Sequence, residues 1–212
     1  ECARKATQGA CSDRRCLFPA CCPSLAPDHS PQLALLKKLR HIPKVRKVFM
    51  ASGIRPDLIA ADAKNGARYI DELAAHHVSG QLKLAPEHTE PHVLAAMGKP
   101  DNGALLFFKN TFDEASRKRN RKQFLTYYFI AAHPGCTDND MHTLKRYVSH
   151  HLHITPEQAQ IFTPTPSTWS TTMYYTGLNP FTNEPIHVTR GLRAKQIQKD
   201  ILVPAPEASR VR

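Results

Sequence analysis

Four short apolar runs punctuate the chain, and they end alike. Gln81–His88 reads QLKLAPEH: apolar positions lead up to Ala85, Pro86 stops them, and Glu87 and His88 follow at once. Lys47–Arg55 reads KVFMASGIR, Gln123–Gly135 reads QFLTYYFIAAHPG, and Ala159–Pro166 reads AQIFTPTP. Runs this short, bounded by Gly and Pro, suit buried strands. Strands are expected over Lys47–Ala51, Gln81–Ala85, the apolar part of Gln123–Gly135, and roughly Gln158–Phe162. Between them the patterning is helical. Strands alternating with helices imply a parallel sheet or barrel. In such folds the site lies at the carboxyl ends of the strands. The endings SGIR, APEH, HPG and PTP are therefore expected close together.

The helical stretches carry their own signals. Ser30-Pro31 offers an N-cap with proline at the first helical position. Leu33, Leu35, Leu36 and Leu39 then suit one helix face, which His41-Ile42-Pro43 ends. Pro56–Ala63 suits a helical turn. Gly66–His77 reads as a helix with Tyr69, Ile70, Leu73 and Ala74 inward. Thr89-Glu90-Pro91 opens a helix to about Met97, stopped by Gly98. Gly103–Arg117 carries Leu105, Leu106, Phe108 and Phe112. Thr137–Asp140 opens a helix to about His151, with acidic residues where the helix dipole favours them. Beyond Phe162 the chain reads as irregular through Trp169, Tyr174 and Tyr175, until a last helix over Gly191–Ile201. Three blocks result: a Cys-rich segment over 1–30, expected as loops pinned by ligands, an α/β body over 31–203, and a tail over 204–212.

With 212 residues, the chain is long enough for one ordinary domain. Its formal net charge of +11 suits an anionic partner such as a nucleotide, a nucleic acid or an acidic protein. A solvated basic surface explains the charge equally simply. No stretch approaches the roughly 20 apolar residues of a membrane helix, so no membrane partner is expected and a cytoplasmic location is. Of six cysteines, five lie within Cys2–Cys22. Such clustering suits a disulfide knot or a metal site, and the α/β pattern downstream favours the metal.

The chemistry-bearing residues follow from these endings. Arg55 can clamp a carboxylate or phosphate through its planar fork, or lie on the surface after a turn. Gly53 permits close backbone approach. Glu87 and His88 suit a general acid–base pair, or a capping carboxylate beside a solvent-exposed histidine. His133, Pro134 and Gly135 precede a helix start, whose N–H groups can receive an anion. Cys136 suits a buried free thiol or a site-lining one. The spacing Cys2-x8-Cys11-x4-Cys16-x5-Cys22 offers four thiolates, with Cys21 adjacent to the last; thiolates bind zinc and iron–sulfur clusters alike.

SGIR, QLKLAPEH, FIAAHPGCTDNDM and FTPTPSTWSTTMYYTGLNP, in this order and spacing, resemble the second half of the YgiQ-type branch of the radical S-adenosylmethionine (radical SAM) superfamily. The four-cysteine segment before Asp28-His29-Ser30-Pro31 resembles that branch too. The resemblance implies a partial TIM-like (β/α) barrel, of which this chain holds the last four of six strands. It implies a 4Fe–4S cluster and SAM as cofactors, with reductive cleavage of SAM to a 5′-deoxyadenosyl radical on a substrate it does not name. Ser52, Gly53 and Arg55 would face the barrel mouth. Glu87 and His88 would approach the SAM ribose or the substrate. His133, Pro134 and Gly135 would place the adenosyl group, and Thr163, Pro164 and Thr165 would lie beside the adenine. Cys2, Cys11, Cys16 and Cys22 would be the family's additional cysteines, holding a second cluster, zinc or a structural role. The superfamily's C-x3-C-x2-C motif has no counterpart in these 212 residues, so the chain reads as a C-terminal piece, inactive alone.

A different class competes: a basic α/β binding module with a structural metal site, contacting RNA or an acidic partner. As a piece of a barrel, the chain would expose unpaired N–H and C=O groups along Lys47–Ala51. It is then expected to self-associate on a sizing column. A monodisperse, cooperatively melting monomer would speak against that reading.

Overall fold

A computed structural model describes residues 2–12 and 15–203; the tail expected over 204–212 lies outside these. In chain order the elements are α1 (Ala3–Gln8), α2 (Ser30–Arg40), α3 (Pro56–Ala61), α4 (Gly66–Glu72), β1 (Gln81–Glu87), α5 (Pro91–Met97), α6 (Gly103–Lys118), β2 (Phe124–Ala131), α7 (Asp138–Tyr147), β3 (Gln160–Ile161), α8 (Trp169–Thr176) and α9 (Leu192–Leu202). The three strands form one sheet in the order β1-β2-β3. β2 and β3 run parallel, with Ile130 opposite Gln160 and Ala131 opposite Ile161. The protein is thus α/β, as the alternation of patterns implies. The chain divides into two compact units, Glu1–Ala85 with Pro100–Tyr127, and Pro86–Lys99 with Tyr128–Arg212.

In the first unit, α4 continues as a π-type segment, Leu73–His77, and buries Tyr69, Ile70, Leu73 and Ala74. These are the residues the helical period points inward. α6 buries Leu105, Phe108 and Phe112 on one stripe and packs on α3 and α4. The turn between α3 and α4 is held by Asp62. Its carboxylate accepts the backbone N–H of His29 at 2.7 Å, the His29 ring Nδ1–H at 2.9 Å and the Asn65 N–H at 2.8 Å. Burial pushes that carboxyl up, yet these donors together hold it below its usual range. Ser30 is not the N-cap of α2 but its first helical residue; Asp28 accepts both its N–H and its Oγ–H at 2.8 Å. Leu33 and Leu36 are buried, whereas Leu35 is 53% exposed. At about 100° per residue, Leu35 stands nearly opposite Leu33 on the helix.

Two expected strands need correction. Lys47–Ala51 forms no regular strand. Its backbone bonds are divided: Met50 N–H donates to His77 O, while Ala51 O accepts from Lys83 of β1. A single parallel bridge, Ile54 to Leu84, completes the contact. Without consecutive bonds to one neighbour there is no ladder. The fourth strand shrinks from five residues to two, Gln160–Ile161. Pro156 and Pro164 flank it, and proline cannot donate to a ladder.

In the second unit, α5 begins at Pro91 and ends at Gly98, as the sequence signals. α7 opens on a capping box, in which Thr137 and Asp140 exchange side-chain and backbone bonds. It continues as a π-type segment over Val148–Leu152 and packs on α9. The stretch expected to be irregular contains α8. Its β-branched threonines are poor helix formers. Thr168 nevertheless caps it by accepting the Thr171 N–H, and Met173 is fully buried beneath it. The Cys-rich block likewise holds one short helix, α1, among loops.

Gly66 sits where α4 passes closest to α3: a Cβ there would fall 2.0 Å from the Ile59 carbonyl oxygen. Because that atom is backbone, the helices must part to admit it. Gly66→Ala is expected to cost about 1–3 kcal/mol, read as a lowered melting temperature. An unchanged melting curve would show that the α3–α4 approach is looser than this.

Candidate functional site

β1 and β2 end in the same unusual way. Glu87 closes β1 with φ +66°, and Ala132 follows β2 with φ +60°. Residues with a side chain rarely adopt this region, and such strain gathers at functional sites. Glu87 itself, and His133 just after Ala132, line one cavity of the second unit. It has a volume of about 370 Å³. Glu87, His133, Thr163 and Thr165, each expected from a strand ending, line it together with Phe162 and Ser170.

His133 is 3% exposed. Its Nδ1 lies 2.8 Å from Pro134 O, which can only accept, so Nδ1 carries the proton. Its Nε2 therefore accepts from the Ser170 hydroxyl at 2.8 Å. Burial lowers the pKa of His133, with the Pro134 carbonyl and the Glu87 charge opposing part of that effect. Glu87 itself pairs with Lys99 at 2.9 Å. The cavity thus presents a carboxylate, a neutral imidazole and several hydroxyls against the apolar face of Phe162. It can hold a ligand with hydroxyls and an aromatic ring.

The turn carrying His133 is fixed from α9. Buried Gln198 accepts the Ala132 N–H at 2.9 Å and donates to Cys136 O at 3.2 Å and Thr189 Oγ1 at 3.0 Å. The Gly135 N–H donates to His187 O, and the Cys136 N–H to His133 O. These two amides are engaged within the fold. Pro134, Gly135 and Pro164 are not among the cavity's lining residues.

Glu87 and His88 face different surroundings. His88 is fully buried and does not line the cavity. Its Nδ1 accepts the Glu90 N–H at 3.1 Å, and its Nε2 lies 3.5 Å from Cys136 Sγ. Burial lowers the His88 pKa to about 4 and pushes the Cys136 thiol up to about 12. Both are neutral near pH 7, so this contact is not an activated thiolate pair. The solvent-exposed alternative for His88 fails equally.

In the first unit, Arg55 pairs with Asp57 through Nε at 2.9 Å and through Nη2. Gly53 has φ +81°, with no neighbouring atom within 4 Å of a Cβ built there. The turn geometry alone accounts for that glycine, and Ser52 is exposed beside it. All six cysteines are free. Cys2, Cys11, Cys16 and Cys22 line one cavity of about 150 Å³, and Cys21 is not among its lining residues.

No local pattern marks Ser170, Lys99 or Gln198, because each acts on a residue 12 or more positions away. Nor did it single out Glu90, His92 and Asp140. Their ligand atoms lie within 4.8 Å of one another, the one such group among the described residues. Asp140 already accepts from Thr137 and from His92 there.

Comparison with known proteins gives a domain of unknown function (DUF3362) over residues 157–204, the segment that holds β3, α8 and α9. The chain is 54% identical to a UPF0313 protein of Fusobacterium nucleatum over 202 residues, covering 95% of this chain and 36% of that protein. It is 43% identical to a UPF0313 protein of Methanosarcina mazei, at 95% and 32% coverage. The chain spans about a third of the length of these curated relatives.

His88 yields a pH dependence of stability. Its folded-state pKa of about 4 lies below the ordinary 6.5, so the unfolded chain binds the proton more readily. The stabilisation is complete above about pH 6.5 and is lost as pH falls towards 4, by up to about 3 kcal/mol. Urea titrations of the native protein and of His88→Gln are expected to show a steeper acid loss in the native protein. Parallel curves would mean that His88 protonates without cost.

Proposed function

We propose that this chain is part of a radical SAM enzyme and that the cavity at the strand ends receives the adenosyl moiety of SAM. The observation that carries this reading is the gathering of Glu87, His133, Thr163 and Thr165, from three strand endings, around one cavity. Its size falls in the range of small-molecule sites, about 300–1,000 Å³. The order of the extended segment 47–54, β1, β2 and β3 follows the sequence, as consecutive strands of a (β/α) barrel do.

The residues suit the ligand. Thr163 and Thr165 offer hydroxyls to a nucleoside, and Phe162 offers an aromatic surface. His133, protonated at Nδ1, presents Nε2 as an acceptor for a ribose hydroxyl, in exchange for Ser170. Glu87 can accept from a ribose hydroxyl or from the SAM ammonium group, with Lys99 holding it in place. SAM supplies, on gaining one electron, a 5′-deoxyadenosyl radical able to take a hydrogen atom from substrate. The cluster that delivers this electron is assigned to sequence outside this chain, which has no C-x3-C-x2-C spacing.

Titrating this chain with SAM tests the reading. Glu87→Gln is expected to weaken binding by about tenfold or more, the scale of one hydrogen bond to a charged group. Its melting temperature should barely move, because a partly exposed ion pair contributes little. The chain should bind SAM without releasing 5′-deoxyadenosine. Equal affinities for both forms, or no binding by the native chain, would overturn the assignment.

A further inference from the structure

We propose that Cys2, Cys11, Cys16 and Cys22 ligate an iron–sulfur cluster in the cavity they share, and that Cys21 takes no part. The proposal does not depend on the adenosyl site, which lies in the other unit. Three observations carry it. First, the four cysteines line one cavity of about 150 Å³, and Cys21 is not among its lining residues. Second, all four thiols are free. Third, among the described residues the one group of three donors within 4.8 Å of one another is Glu90, His92 and Asp140, so no three of these sulfurs are drawn that close.

The third point separates a cluster from zinc. Zinc takes thiolates at about 2.3 Å in a closed tetrahedron, which sets the sulfurs about 3.8 Å apart with no void between them. A cluster inserts irons and sulfides between the cysteines, so it needs thiolates spread around a cavity. The walls agree in charge. Arg4, Lys5 and Arg15 line the same cavity. Four thiolates around iron and sulfide carry net negative charge, which a cationic wall offsets and which would otherwise keep the thiolates apart. The backbone contributes one fixed point: Cys22 N–H donates to Cys16 O at 2.8 Å, which holds these two ligands in one turn.

The test uses this chain, reconstituted anaerobically with ferrous iron and sulfide. It is expected to retain iron and sulfide in equal amounts, about two or four of each per chain. Thiolate-to-iron absorption should accompany them, with an EPR signal on reduction by dithionite. Because the chain has no C-x3-C-x2-C, this signal can arise only from the N-terminal cysteines. Cys21→Ser should keep the full iron content. Cys16→Ser and Cys22→Ser should each lose most of it while the far-ultraviolet circular dichroism stays unchanged. One zinc per chain with no uptake of iron would overturn the proposal, as would a chain that holds no metal. Loss of iron in Cys21→Ser with retention in Cys22→Ser would overturn the ligand assignment. None of these results bears on SAM binding, so the two readings stand or fall separately.

Discussion

The second unit depends on one buried amide. Gln198 is fully buried and reaches three groups: the Ala132 N–H, the Cys136 carbonyl and the Thr189 hydroxyl. An amide buried without partners costs about 1–3 kcal/mol for each group left unmade, so these bonds are strongly directive. They fix the turn just past β2, where Ala132 takes a left-handed conformation and His133 swings into the cavity. The helix that supplies Gln198 belongs to the segment matching the domain of unknown function. That segment is thus the brace of the strand ending as well as the source of Thr163, Thr165 and Ser170.

Burial sets the chemical character of the strand endings. Three potential reactive groups, His88, His133 and Cys136, are all shifted towards their neutral forms by loss of solvent. Glu87, by contrast, forms a partly exposed ion pair with Lys99. The cavity is therefore a place of directed hydrogen bonds around a single carboxylate. Adjacent residues were sorted in opposite directions by one backbone feature. The positive φ at Glu87 turns its side chain into the cavity, while His88 goes into the core beside Cys136.

The first unit follows a different logic. Its fixed point is the Asp62 carboxylate, which ties His29 to the turn between α3 and α4 through charge-assisted bonds, while the Asn65 side-chain amide of that turn donates to Asp28. The Cys-rich segment leads directly into that anchor. It has one short helix and buries none of that helix's residues, so apolar packing does little to order it. The four cysteines around their cavity are its most distinctive order.

The sequence by itself determined the alternation of strands and helices, the inward face of α4, the proline start and glycine stop of α5, and the capping box of α7. Each rests on periodicity or on a bond between residues a few positions apart, which the chain carries wherever it is placed. It also marked Glu87, His133, Thr163 and Thr165 by their place after apolar runs. Only the tertiary structure decided the rest. Lys47–Ala51 failed as a strand because its bonds went to two different partners. α8 formed against its propensities because Met173 found a core to enter. Glu87 and His88 parted because one dihedral angle turned between them. Contacts across long chain separations, such as Gln198 to Ala132, leave no local pattern, because what they satisfy exists only once the chain has folded.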